Sequence, residues 1–149
     1  MSALPPELAA PVEQLRAKLV EINGSEQNCM TNVVASAPQG KSFPEVQAVM
    51  AKCRQASAAA AVTAIDTFRH KCSEIATQTN SLAKAAIISA IAKSIWDFWA
   101  KSESCAAAFA SEVAARLPAQ GPDKTTQAIK NICGNRASSI NRYFEQLTT

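Results

Sequence analysis

The chain has 149 residues, of which 48% are hydrophobic and 18% charged, with a formal net charge of +3. That length suits one domain, and the balance excludes a charged, disordered chain. No apolar run approaches the ~20 residues needed to cross a bilayer, and with 4 glycines and 7 prolines the chain lacks the turn residues an all-β sandwich requires.

The first element is a helix carrying Leu8, Val12, Leu15, Leu19 and Ile22, whose four-three spacing forms one stripe. Pro11 falls in its first turn, where a missing N–H costs nothing. Asn23-Gly24 is expected to end it, because both residues tolerate a left-handed cap. Ser25 then caps a second, short helix with Cys29, Val33 and Val34, which stops before Pro38. Pro38-Gln39-Gly40-Lys41 reads as a loop. Ser42-Phe43-Pro44-Glu45 reads as a capping box. It opens a long helix through Val46, Met50, Cys53, Phe68, Cys72 and Ile75, uninterrupted before Thr79-Asn80-Ser81, with room for a kink near the alanine run. A second long helix is expected from Leu82 through Ile87, Ile88, Ile91, Ile95, Phe98, Trp99, Cys105, Phe109 and Val113, ending at Pro118. Gly121-Pro122 forms a turn, and Asp123 caps a last helix with Ile129, Ile132, Cys133, Ile140, Phe144 and Leu147. The fold class is all-α: one domain over residues 1–149, an up-and-down bundle of about five helices, two of them long, stapled by disulfides.

Alanine supplies much of the hydrophobic fraction, as in Ala58-Ala59-Ala60-Ala61, and aromatics make up only 5%. Alanine favours helix but buries little area, so the core is thin in large side chains and benefits from covalent staples.

The five cysteines, Cys29, Cys53, Cys72, Cys105 and Cys133, contain no CxxC pair and no cluster with histidine. A metal site is therefore unsupported. Antiparallel helices joined by a short loop meet at residues equally far from that loop. Cys29 and Cys53 are so placed around Lys41, Cys53 and Cys105 around Asn80, and Cys105 and Cys133 around Gln120. Four cysteines thus share one level of the bundle, as a Cα separation within ~7 Å demands. In a continuous helix Cys72 lies about 30 Å along the axis from Cys53. Two bridges are expected, Cys29–Cys53 and Cys105–Cys133 being the favoured pairing, with Cys72 a free thiol. Disulfides point to a secreted protein, with a cytoplasmic location as the alternative. No basic and apolar leader follows Met1, so the chain is cytosolic or a mature secreted segment, and the Asn23-Gly24-Ser25 sequon leans toward secretion.

No catalytic constellation is evident. His70, the only histidine, stands two residues from Cys72, so the two point to nearly opposite sides of one helix. The carboxylates form no pair suited to acid–base work, and no phosphate-binding loop is present. The chain is read as a non-enzyme without a cofactor. Lys84, Lys93 and Lys101 share a face with Asp97, a solvated ion-paired stripe, and not a nucleic-acid track.

Phe68-Arg69-His70-Lys71-Cys72, Ser102-Glu103-Ser104-Cys105 and Lys130-Asn131-Ile132-Cys133-Gly134 resemble the later cysteine segments of plant invertase and pectin methylesterase inhibitors. The resemblance implies a secreted helical bundle with two bridges, one of them Cys72–Cys105. That family's closely spaced first cysteine pair has no counterpart, since Cys29 and Cys53 stand far apart. We keep the pairing given by the helix register.

The stretch from Leu82 to Phe109 is richest in large apolar side chains, more than one packing partner would cover. Its surplus can wall a cavity. The expected ligand site comprises Phe68, Ile88, Ile91, Ile95, Trp99 and Met50, with a lysine or Arg69 at the mouth to meet a carboxylate. The function so read is a secreted carrier for a small hydrophobic ligand such as a fatty acid. The alternatives are an interaction protein that self-associates, as a homodimer, through the same apolar face with Cys72 available for crosslinking, and a helical inhibitor that docks onto an enzyme.

Overall fold

The computed structural model describes residues 4–36, 43–112 and 117–149, and the side chains of 4–34, 47–110 and 123–149. Among these residues the chain is helical and contains no strand. A short 3-10 turn at Pro6–Leu8 leads into α1 (Ala9–Ser36), followed by α2 (Phe43–Gln78), α3 (Leu82–Lys101), α4 (Cys105–Glu112) and α5 (Leu117–Thr148). No helix is long and apolar enough to cross a membrane among the described residues.

Cross-contacts fix the topology. Cys29 on α1 is bridged to Cys53 on α2, and Leu15 and Phe68 line one groove between the same two helices, so they run antiparallel. Moving back along α5, Tyr143 meets Ser94 and Phe98, Arg136 meets Trp99, and Cys133 meets Cys105. The third column of the bundle is therefore α3 and α4 in series, antiparallel to α5. Arg16 and Asn23 of α1 reach Asn141 and Cys133 of α5, which closes an up-and-down arrangement of four columns.

The staples match the register argument. Cys29–Cys53 and Cys105–Cys133 are bridged, with Cα separations of 5.8 and 4.9 Å, and Cys72 is a buried free thiol. The Cys72–Cys105 bridge implied by the family resemblance does not form. The first helical stripe is equally faithful: Leu8, Val12, Leu15, Leu19 and Ile22 are all buried.

Three element boundaries differ from those read in the sequence. First, α1 continues through Asn23-Gly24, so the two expected helices are one. Asn23 is buried, and its Nδ2 donates to the Cys133 carbonyl oxygen at 2.9 Å. This tertiary bond holds the chain helical where local propensity favours a stop. Second, the expected helix from Leu82 to Leu117 is broken at Ser102–Ser104. Ser102 is extended (φ −86°, ψ 133°), and its hydroxyl donates to the Phe98 carbonyl at 2.7 Å. Ser104 restarts the helix, its Oγ accepting from the Ala107 amide at 3.2 Å. Third, α5 begins at Leu117, so Gly121-Pro122 is not a turn and Asp123 is not its cap. Pro118 lies in the first turn, where its missing N–H needs no acceptor, and Pro122 removes one bond from the turn after it. The helices of 28, 36 and 32 residues make three long elements where two were expected. The Pro38-Gln39-Gly40-Lys41 loop and the capping box at Ser42 lie outside the described residues, wholly or in their side chains.

Two apolar clusters fill the interior. The larger joins the α1 stripe to Ile65, Phe68 and Cys72 of α2, Ile88, Ile91 and Ile95 of α3, and Ile140 and Phe144 of α5. The smaller surrounds the bridges, with Met30, Val34, Met50, Phe109 and Ile129. The serine break in the third column, with Asn23 and Glu26 of α1, marks the boundary between them.

Candidate functional site

A groove of about 1030 Å³ runs between α1 and α2, at the upper end of the ~300–1,000 Å³ usual for ligand clefts. Pro11 and Leu15 from α1 and Ala59, Ala60, Ala64 and Phe68 from α2 supply its apolar lining, with Leu15 and Phe68 buried and Ala59 and Ala60 exposed. The alanines contribute to the depression, because a methyl group fills only a small part of the space a leucine would occupy. Gln14, Thr63 and Thr67 add neutral polar groups, and the remaining lining residues are Lys18, His70, Lys71 and Glu74. Lys18 and Lys71 stand 3.6 and 3.7 Å from Glu21 and Glu74 in exposed contacts along their own helices. Such pairs are weak and easily exchanged for another anion.

A smaller groove of about 600 Å³ separates α2 from α3 and is lined in part by Arg69, Cys72, Ala76, Ala92, Lys93 and Trp96. Its cations have partners. Lys93 Nζ donates to Asp97 Oδ2 at 2.8 Å, as the sequence stripe suggested, and Arg69 lies 3.8 Å from Asp66 and 5.4 Å from the centre of the Trp96 ring. Lys84 pairs instead with Glu7. Burial pushes the Cys72 thiol up to about 11, which keeps it protonated and poorly nucleophilic.

The six residues expected to wall a cavity do not share one surface. Phe68 lines the α1–α2 groove. Ile88, Ile91 and Ile95 are packed inside the larger cluster, and Trp99 is half-buried beside it. Met50 belongs to the smaller cluster, on the far side of the serine break. The large side chains of α3 are covered by other means. Phe98 stacks on Tyr143 with ring centres 4.0 Å apart, and the Arg136 guanidinium lies 4.6 Å from the centre of Trp99. Leu82 and Ile87 stay exposed, at 89% and 42%.

One buried acidic residue has no counterpart in the sequence reading. Glu26 of α1 is 3% exposed, and its Oε1 has no hydrogen-bond partner. Its Oε2 lies 3.2 Å from Cys105 Sγ, a bridged sulfur that carries no proton to donate. Burial raises the Glu26 carboxyl above the ordinary range, and this outweighs the Ser104 hydroxyl, the Ala106 amide, Arg136 and Arg54, all of which favour the charged form. Burial also lowers Arg136, against the opposing pull of Glu26. The sequence signal was available: Glu26 lies four residues from Ile22 and Met30, on the apolar stripe of α1. Among the described residues no cluster of three or more His, Cys, Asp and Glu side chains could hold a metal ion. Comparison of the chain with known protein families, characterised proteins and solved structures gives no match.

Proposed function

We propose that this protein is a secreted, non-enzymatic carrier that holds a small hydrophobic ligand of the fatty-acid type in the α1–α2 groove. The observation that carries the reading is the pairing of a largely apolar, alanine-lined trough with Lys18 and Lys71 among its lining residues. An acyl chain would lie against Leu15, Ala60, Ala64 and Phe68, gaining about 25 cal/mol per Å² of apolar surface covered, before ordering costs. A carboxylate at one end would exchange into the exposed lysine contacts. The two disulfides support an oxidising compartment, and hence secretion.

Self-association is a second reading, favoured by the exposure of Leu82 and Ile87 on α3. Crosslinking through Cys72 forms no part of it, since that thiol is 3% exposed.

Displacement of a fluorescent fatty-acid probe by oleate tests the carrier reading. The native chain should bind one equivalent. Ala60→Trp, which fills the trough from an exposed position, should weaken binding at least tenfold while leaving the helical circular dichroism intact. Absence of binding, or equal binding by a folded Ala60→Trp variant, would overturn it.

A further inference from the structure

Glu26 sits where four elements converge. It belongs to α1. Arg54 faces it from α2 and Arg136 from α5, while the break and α4 bring the Ser104 hydroxyl, the Ala106 amide and the Cys105 sulfur. Neither arginine comes within ion-pair distance among the described contacts, so both act at longer range. Oε1 is left without a hydrogen-bond partner and the Cys105 sulfur beside Oε2 can only accept, which leaves the Ser104 hydroxyl and the Ala106 amide as the neutral donors toward a group that is otherwise shut off from water.

This arrangement suits a carboxylic acid better than a carboxylate. A protonated Glu26 has one O–H to donate and no net charge to solvate, whereas a carboxylate in the same place needs several donors. The joint beside it is the one break among the described residues of the third column. The helix is interrupted over Ser102–Ser104, so the backbone there lacks the continuous helical bonding of α3. When a buried group needs water, the element that yields is the one with the least stability of its own. We propose that Glu26 is a proton-operated latch on the α3–α4 joint: protonated, it seals α4 against α1 and α5; ionised, it draws water in and loosens α4. The raised carboxyl range is consistent with this direction, because the closed joint binds the proton more tightly than the open one.

The test is amide hydrogen exchange of the native, oxidised chain between pH 5 and pH 8, expressed as protection factors so that the intrinsic pH dependence cancels. Amides of α4 should lose at least tenfold protection over that range, while those around Leu15–Leu19 in α1 change less than twofold. In Glu26→Gln, a neutral isostere, α4 should keep its protection at both ends of the range. Uniform protection of α4 in the native chain, or the same pH response in Glu26→Gln, would overturn the proposal. Should Glu26→Gln fail to fold, Trp99 fluorescence in a His70→Gln, Trp96→Phe background decides with Glu26 intact. Trp99 lies three residues before the break, and this background removes the histidine and the second tryptophan. A sigmoidal change above the ordinary carboxylate range is expected, and a flat profile would contradict the latch.

Discussion

Asn23 Nδ2 donates to the main-chain oxygen of Cys133 across 2.9 Å, tying the middle of α1 to α5 at the level of the Cys105–Cys133 bridge. The bond explains why α1 runs through Asn23-Gly24 instead of stopping there. Removing it by Asn23→Ala leaves the Cys133 carbonyl with its partner in the α5 helix alone and should cost about 1 kcal/mol, read as a fall in the urea midpoint with an unchanged slope.

Gly24 gives the complementary prediction. It is helical, and a Cβ built there meets nothing within 4 Å. Gly24→Ala should therefore stabilise the fold by about 0.5–1 kcal/mol. Thermal denaturation measures it. A loss of stability would mean that Gly24 caps a helix end, as the sequence alone suggested.

The pH dependence of stability should carry the mark of Glu26. Its carboxyl is raised above the usual 4.5, so the folded state holds the proton more tightly than the unfolded chain. The resulting stability is fully present below about pH 4.5 and is lost as pH rises through the folded-state value. Glu7, Glu13 and Asp97 are lowered by partners and work in the opposite sense as pH falls. The difference between native protein and Glu26→Gln isolates one group: the variant should gain stability relative to the native chain on going from pH 5 to pH 8. A constant difference would show that Glu26 does not titrate there.

The bridges should dominate resistance to unfolding. Each closes a segment of 24 or 28 residues, so loss of either should cost about 3.5 kcal/mol by the chain-entropy estimate. The double variants Cys29→Ser/Cys53→Ser and Cys105→Ser/Cys133→Ser test this by denaturant titration. Cys72, buried with its thiol pushed up to about 11, should react with iodoacetamide only after unfolding. Rapid alkylation at pH 8 in native buffer would place it elsewhere.

Carrier function makes a graded prediction. If an acyl chain lies along the α1–α2 trough, affinity should climb with chain length, by at most about fourfold per methylene (~0.8 kcal/mol each), and level off once the trough is filled. Lys71→Glu should weaken carboxylate ligands several-fold and leave the matching alcohols unaffected. Calorimetry across a series of saturated acids and alcohols measures both.

The parts of the fold legible in the sequence were those set by spacing. Antiparallel register placed four cysteines on one level and isolated Cys72, because distance from a loop converts directly into height along a helix. The stripe from Leu8 to Ile22 was readable for the same reason. Boundaries fixed by tertiary bonds were not. Asn23 is a stop signal until its amide finds the Cys133 carbonyl, and the apolar series from Ile95 to Phe109 looks continuous although Ser102 and Ser104 terminate and restart the helix. The expected ligand wall is not brought together on one surface, because Ile88, Ile91 and Ile95 face inward as packed core. The groove arises instead where the alanines of α2 leave space beside α1, and a run of small residues signals that volume only once its neighbour is known.

The most direct test of the carrier reading is native mass spectrometry of the oxidised chain mixed with palmitate. A single adduct of one acid per chain is predicted, surviving gentle activation and lost in Ala60→Trp. A spectrum with no adduct, or with the same adduct on the filled-trough variant, would contradict it.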